Sequence, residues 1–173
     1  SGLTRSGARP GDTIYVTGVL GAAALGLHAL LAGTPGLAPA CVERWRAPHA
    51  RIAEGRALVG VASAAVDVSD GALADLGHLC AASGTGAEID IASLPELPGF
   101  SGLARQLGRD PVQLALTGGE DYELIYTLPP GRSDPASGTP IGRVTDPGSG
   151  IQVRDARGAL VELAARGYRH FAG

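Results

Sequence analysis

Charge is scarce in this chain. Only 18% of its 173 residues are Asp, Glu, Lys or Arg, the formal net charge is −3, and no long basic run occurs. Binding along a nucleic-acid backbone needs a basic footprint, so composition argues against nucleic acid as a partner. Long apolar runs are lacking too. The longest apolar segment, Val16 to Ala32, is broken by Gly18, Gly21, Gly26 and His28, and falls short of the roughly 18 apolar residues a membrane helix requires. The opening residues do not have the pattern of a signal peptide. No membrane partner is expected, and the segment reads as soluble core. Cysteine is nearly absent: Cys41 and Cys80 match no zinc spacing, and one distant pair is a weak case for a disulfide, so a reducing, cytoplasmic setting is expected.

What is present is enough apolar side chain for a substantial core. Hydrophobic residues make up 45% of the chain, and a chain of this length fits one domain that buries roughly two-thirds of its unfolded surface. The 27 glycines are spread along the sequence and form no low-complexity tract.

Two strand–turn–helix units follow an opening arm. Residues 1–12 are polar, basic and glycine-rich, with Arg5 and Arg9 around Ser6-Gly7-Ala8, and read as an extended arm. Asp12 to Thr17 is β-branched and aromatic, hence a strand; Gly18 to Gly21 is a turn; Ala22 to Leu31 has helical spacing and closes at Gly33. Thr34 to Ala40, with Pro35, Gly36 and Pro39, reads as a loop, Cys41 to Arg46 is too short and charged to classify, and a helix is expected from Pro48 to Gly60.

The second unit carries the chemistry. Ala64 to Val68 is a short apolar strand, Ser69-Asp70-Gly71 breaks it, and Leu73, Leu76 and Leu79 continue at helical spacing. Asp67, Ser69 and Asp70 therefore gather where a strand ends and a helix opens, at free backbone N–H groups that favour a phosphate. Carboxylates beside a phosphate repel it unless a divalent cation lies between them, and an all-oxygen set suits magnesium. The plainer reading is an N-cap, which needs one such side chain. Three in four positions favour a site.

After a strand at Gly86 to Ile91 and short helices at Leu103 to Leu107 and Pro111 to Leu116, a second acidic turn appears. Thr117-Gly118-Gly119-Glu120-Asp121 precedes Tyr122 to Leu128, which reads as a strand. Two glycines let backbone approach a ligand closely, although taken alone this could be a plain turn with solvated acids. Short strands are expected at Ile141 to Val144, Ile151 to Arg154 and Leu160 to Leu163, before a tail that ends Gly167-Tyr168-Arg169-His170-Phe171.

Asp67-Val68-Ser69-Asp70-Gly71 with Ala74-Asp75-Leu76-Gly77-His78, Leu116-Thr117-Gly118-Gly119-Glu120-Asp121-Tyr122-Glu123-Leu124, and the Gly167 to Phe171 tail strongly resemble the C-terminal half of the thiamine-monophosphate kinases. These belong to a wider superfamily with aminoimidazole ribonucleotide synthetase, selenophosphate synthetase and a hydrogenase maturation protein. The resemblance covers essentially the whole chain. It implies an α/β (α+β) fold, a mixed β-sheet with packed helices, with residues 13–173 forming the C-terminal domain and residues 1–12 the arm from an N-terminal ATP- and metal-binding domain outside this chain.

It further implies transfer of the γ-phosphoryl group of ATP to thiamine monophosphate, giving thiamine diphosphate, with Mg2+ as cofactor and a homodimeric full-length protein. Carried over by position, Asp67 and Asp70 would be magnesium ligands, Arg5 and Ser69 would contact ATP, and Glu120 and Tyr168 would contact the thiamine substrate. No residue is placed to act as a covalent nucleophile. Ala22 stands where that family commonly has an acidic residue, and Ala47-Pro48-His49-Ala50-Arg51 replaces a more proline-rich pattern. By itself the chain is expected to bind weakly and not turn over. The competing readings are a non-catalytic binding or structural module and another ATP-dependent member of the superfamily.

Overall fold

In the computed structural model, which describes residues 2–163, the β-branched and aromatic runs become strands and the alanine- and leucine-rich segments become helices. In chain order these are β1 (Thr13–Val16), α1 (Ala22–Leu31), α2 (Pro39–Arg46), α3 (Ile52–Leu58), β2 (Ala64–Asp67), α4 (Ala72–Ser83), β3 (Gly86–Asp90), α5 (Phe100–Gln106), α6 (Pro111–Thr117), β4 (Leu124–Leu128), β5 (Thr139–Thr145) and β6 (Ile151–Arg154). The strands form one sheet in the order β2-β4-β1-β5-β3-β6. All neighbours are antiparallel except β3 and β6. The mixed sheet with packed helices is the expected α/β fold.

Alternation decides which face of the sheet each helix covers. Ile14 and Val16 of β1, Val66 of β2 and Ile125 of β4 bury one face against Leu76 and Leu79 of α4 and Leu116 of α6. On the other face Tyr126 and Leu128 of β4 meet Leu58 of α3, with Tyr15 packed alongside. The Tyr15 and Tyr126 rings stack with centroids 5.5 Å apart. A third cluster lies away from the sheet, where Leu25 and Ala29 of α1 meet Val42 of α2, Phe100 of α5 and Leu114 of α6. Gly26 allows α1 and α2 to touch, because a Cβ there would run into the Cys41 carbonyl.

Four local expectations are revised. Residues 34–40 do not stay a loop: Pro35–Leu37 makes a 3-10 turn and α2 opens at Pro39, since proline suits the first helical turn. Cys41 to Arg46, unclassified from sequence, is the body of that helix, its Cys41 and Val42 buried, its Arg44 half-buried and its Arg46 exposed. The helix expected from Pro48 begins at Ile52. Leu160 to Leu163 is no strand; Leu160 makes one isolated bridge with Arg154.

The arm lies along the domain. The Thr4 carbonyl accepts the Ala65 N–H of edge strand β2 at 2.9 Å, and Ser83 Oγ, at the last turn of α4, accepts the Gly7 and Ala8 N–H groups at 3.2 Å each while donating to the Arg5 carbonyl at 3.1 Å. Ala8 is buried.

Candidate functional site

Strand direction brings the two acidic turns together. Because β4 runs antiparallel to both β1 and β2, its first residues pair with their last: Ile125 opposes Val16, and Leu124 opposes Asp67. The β1–α1 turn, the β2–α4 turn and the segment 118–123 thus share one end of the sheet. The N-termini of α1 and α4 both open there.

The β2–α4 turn is organised from within its own helix. Asp75, in the first turn of α4 and 3% exposed, accepts the Ser69 and Asp70 N–H groups on Oδ2 at 2.8 and 2.9 Å. That leaves Asp67 exposed, with Ser69 half-buried. Burial pushes the Asp75 carboxyl above the usual carboxylate range against those two bonds, and the charges of Asp70 and Asp67 push it the same way. Mutual repulsion of this kind is relieved by a cation. Asp70, Asp75 and His78 each offer a ligand atom, all within 4.8 Å of one another. The carboxylate oxygens fit magnesium; the imidazole nitrogen is the less suitable donor. Asp67 is near enough to act on Asp75 electrostatically but lies outside that closest group.

The second turn faces both ways. Glu120 and Tyr122 adopt left-handed backbone, φ 67° and 51°, at a cost on the order of 1–2 kcal/mol each for an L-residue. The strand expected from Tyr122 accordingly starts only at Leu124. Buried hydrogen bonds offset that cost. Asp121, 8% exposed, accepts the Gly21 N–H on Oδ2 at 2.7 Å and the Ala23 N–H on Oδ1 at 3.1 Å, capping α1. Glu123, 1% exposed, accepts from Thr17 Oγ1 at 2.7 Å, from Arg44 at 3.1 Å and from Arg51 through Nε at 2.6 Å and NH2 at 2.9 Å. Burial raises the Asp121 carboxyl to about 7, although its two amide bonds pull the other way.

The outward pair meets the first turn. The Glu120 N–H donates to the Ser69 carbonyl at 2.9 Å, the Tyr122 N–H to the Val68 carbonyl at 2.9 Å, and the Tyr122 hydroxyl to Glu120 Oε2 at 3.0 Å. Gly119 permits this approach, since a Cβ there would strike the Ser69 carbonyl oxygen. The Tyr122 hydroxyl is held above its ordinary value, first by the Glu120 bond and charge, then also by Asp67 and Asp70. From Ser69, Gly119 and Glu120 a cleft of about 860 Å³ runs between α1 and α6 to Trp45 and Arg109.

The structure therefore brings Asp67, Ser69, Asp70 and Glu120 to one place. It does not bring Arg5 there: its backbone lies beside Ser83, at the far end of the twelve-residue α4, a helix about 18 Å long. Tyr168 lies outside the described residues. Sequence reasoning missed the organising acids. Asp75 and His78 sit in the same motif stretch at helical spacing from the turn, but spacing alone does not say that a carboxylate folds back onto two amides. No described helix is long and apolar enough to cross a membrane.

Comparison with known proteins adds the lineage. The thiamine-monophosphate kinase of Escherichia coli strain K12 is 44% identical over 187 aligned residues, which take in 98% of this chain and 55% of that protein. The solved structure of AaThiL complexed with AMPPCP and TMP superposes with a TM-score of 0.84 at 36% identity, over 98% of this chain and 54% of the other. The hydrogenase maturation protein HypE of E. coli shares the fold alone, at 20% identity and a TM-score of 0.69 over 93% of this chain and 52% of its own. The chain thus spans about half the length of the curated relatives it matches. Residues 9–133 match the family described as AIR synthase related protein, C-terminal domain, and the chain belongs to that family, with thiamine-monophosphate kinases among its relatives.

Proposed function

We propose that the full-length protein containing this chain transfers the γ-phosphoryl group of ATP to thiamine monophosphate, giving thiamine diphosphate and ADP, and that this chain is the C-terminal half of the site. Residues 13–173 act as the domain and residues 1–12 as the arm from an N-terminal domain. The observation that carries the reading is the pair of hydrogen bonds joining Glu120 to Ser69 and Tyr122 to Val68. They make one acidic, cleft-facing site out of two turns. The names of the relatives and the ligands of the solved AaThiL structure supply the substrates.

The chemistry asks for little beyond placement and charge. A phosphate oxygen of thiamine monophosphate is already anionic near neutral pH, so it attacks the γ-phosphorus in line without a general base or a covalent enzyme intermediate, and the bond to ADP breaks. Asp67 and Asp70 hold magnesium, which when bound supplies the positive charge that screens one polyanion from the other. Ser69 and the free N–H groups opening α4 hold phosphate oxygens. Asp75 fixes the amides of Ser69 and Asp70 and so the direction in which that turn points. Glu120 and Tyr168 contact the acceptor. Arg5, remote from the turn, meets ATP only where the nucleotide or the adjoining domain extends along α4. A cytoplasmic enzyme, homodimeric at full length, fits this role.

The test is magnesium-dependent ADP release by the full-length protein with thiamine monophosphate and with plain thiamine as acceptors. Turnover with the monophosphate alone is the expected result; none with either acceptor overturns the reading. Asp70→Asn should lower turnover at fixed magnesium at least ~10-fold. A change within about twofold removes Asp70 from the site.

A further inference from the structure

Glu120 and Tyr122 rise from a fixed base. Their N–H groups donate to the Ser69 and Val68 carbonyls at 2.9 Å each, and both hold left-handed backbone. Such a conformation persists in an L-residue only where the surroundings over-determine it, and it collects at ligand sites. Between and after them, Asp121 and Glu123 are locked inward by the Gly21 and Ala23 amides and by Thr17, Arg44 and Arg51. The backbone is thus gripped from both sides, and the freedom that remains lies in the side chains. Glu120 is exposed and has three rotatable bonds. A ligand that needs one arrangement of the carboxylate loses affinity in proportion to the time it spends in the others.

One contact takes up that freedom. The Tyr122 hydroxyl donates to Glu120 Oε2 at 3.0 Å, a bond strengthened by the charge of its acceptor oxygen. We propose that Tyr122 is a positioning residue that aims Glu120 at the acceptor substrate. The assignment rests on the proposed kinase activity and on Glu120 as its acceptor contact, and goes beyond both by naming what fixes that carboxylate. Glu120 lines the cleft beside Ser69 and Gly119, whereas Tyr122 is not part of its wall, so the hydroxyl bears on the ligand through the carboxylate. With Oε2 occupied, Oε1 is the oxygen offered to a donor group of the substrate. The same bond separates two duties. Asp67 and Asp70 lie close enough to act on the Tyr122 hydroxyl, so Glu120, bonded to that hydroxyl, shares their surroundings. Yet the described side chains that converge within reach of one cation are Asp70, Asp75 and His78, without Glu120. Held by Tyr122, Glu120 is kept for the acceptor.

Tyr122→Phe in the full-length protein deletes the hydroxyl and keeps the ring, and with Tyr122 37% exposed the fold should be little affected. The variant should raise KM for thiamine monophosphate at least ~5-fold, which corresponds to about 1 kcal/mol, with kcat and KM for ATP within about twofold and the urea midpoint unchanged. Glu120→Ala should raise the same KM by at least as much. Adding Tyr122→Phe to Glu120→Ala should then change that KM less than about twofold, because the hydroxyl has lost the group through which it acts. A similar rise from Tyr122→Phe in both backgrounds makes the tyrosine a ligand contact in its own right and overturns the proposal. So does an unchanged KM in either single variant. A lower urea midpoint with kcat and both KM values moved together assigns Tyr122 to the fold and overturns it as well. In all three cases wild-type turnover with thiamine monophosphate persists and the kinase reading stands; absence of that turnover sinks both.

Discussion

In the β2–α4 turn the carboxylate that organises the backbone lies close by in sequence: Asp75 holds amides five and six residues before it. In the turn before β4 the corresponding acid, Asp121, holds amides 98 and 100 residues before it, at Ala23 and Gly21. Both turns use one buried carboxylate on two backbone N–H groups and leave another facing out, Asp70 in the first and Glu120 in the second. The difference is range. The first turn forms with its own helix, whereas the second is a clamp that closes only when β4 docks beside β1 and α1. The inward acids tie backbone amides and arginines together, and the outward acids stand at the mouth of the cleft.

That division can be broken most severely at Glu123. Removing it in Glu123→Ala leaves Arg44 and Arg51 without their buried counter-charge and should destabilise the fold by about 3–5 kcal/mol, read as a lower urea midpoint at unchanged slope. Asp75→Ala, which strands two amides of the first turn, should cost about 1–3 kcal/mol by the same measurement. It should also speed hydrogen exchange at Ser69 and Asp70 more than in the centre of α4. Protection unchanged at those two amides would contradict the local character assigned to this turn.

Asp121 predicts a pH signature. Its folded-state value of about 7 lies above the model-compound 3.8, so the fold prefers the protonated carboxyl. Its contribution is whole below 3.8 and is lost as the pH rises through about 7. Wild-type stability measured against Asp121→Asn should therefore fall across that window, and a difference that is constant with pH removes the titration from Asp121. The smallest effect belongs to the outward acids. Asp70→Asn should leave stability within about 0.5 kcal/mol of wild type, on the stabilising side, because it relieves repulsion with Asp67 and Asp75. A clear loss of melting temperature would place Asp70 among the inward, structural acids.

Periodicity made β1, α1, β2 and α4 legible, along with the concentration of acids at the exit of β2, because each of those signals lies within a dozen residues. The α2 segment was not legible: Glu43, Arg44 and Arg46 obscure a helix whose apolar side is only Cys41 and Val42. Glu120-Asp121-Tyr122-Glu123 shows the limit most clearly. Four consecutive residues of similar appearance divide into two outward and two buried groups, and what divides them is Gly21, Ala23, Thr17, Arg44 and Arg51, all brought from elsewhere by the sheet. The left-handed backbone at Glu120 and Tyr122 has the same distant origin. That Leu27 and Leu31 of α1 stay outside the core was not legible either, since it shows only once Leu25 and Ala29 pack against α2.

The hydrogen bond from Ala65 to the carbonyl of Thr4 bears on colloidal behaviour as well as on architecture. β2 is the outer strand on that side of the sheet, and a bare edge invites strands of other molecules to add to it. The arm partly occludes that edge with the chain's own backbone. This chain trimmed between Thr4 and Ala8 would keep the acidic turns and gain an open edge, so it should self-associate on storage more readily than the untrimmed chain.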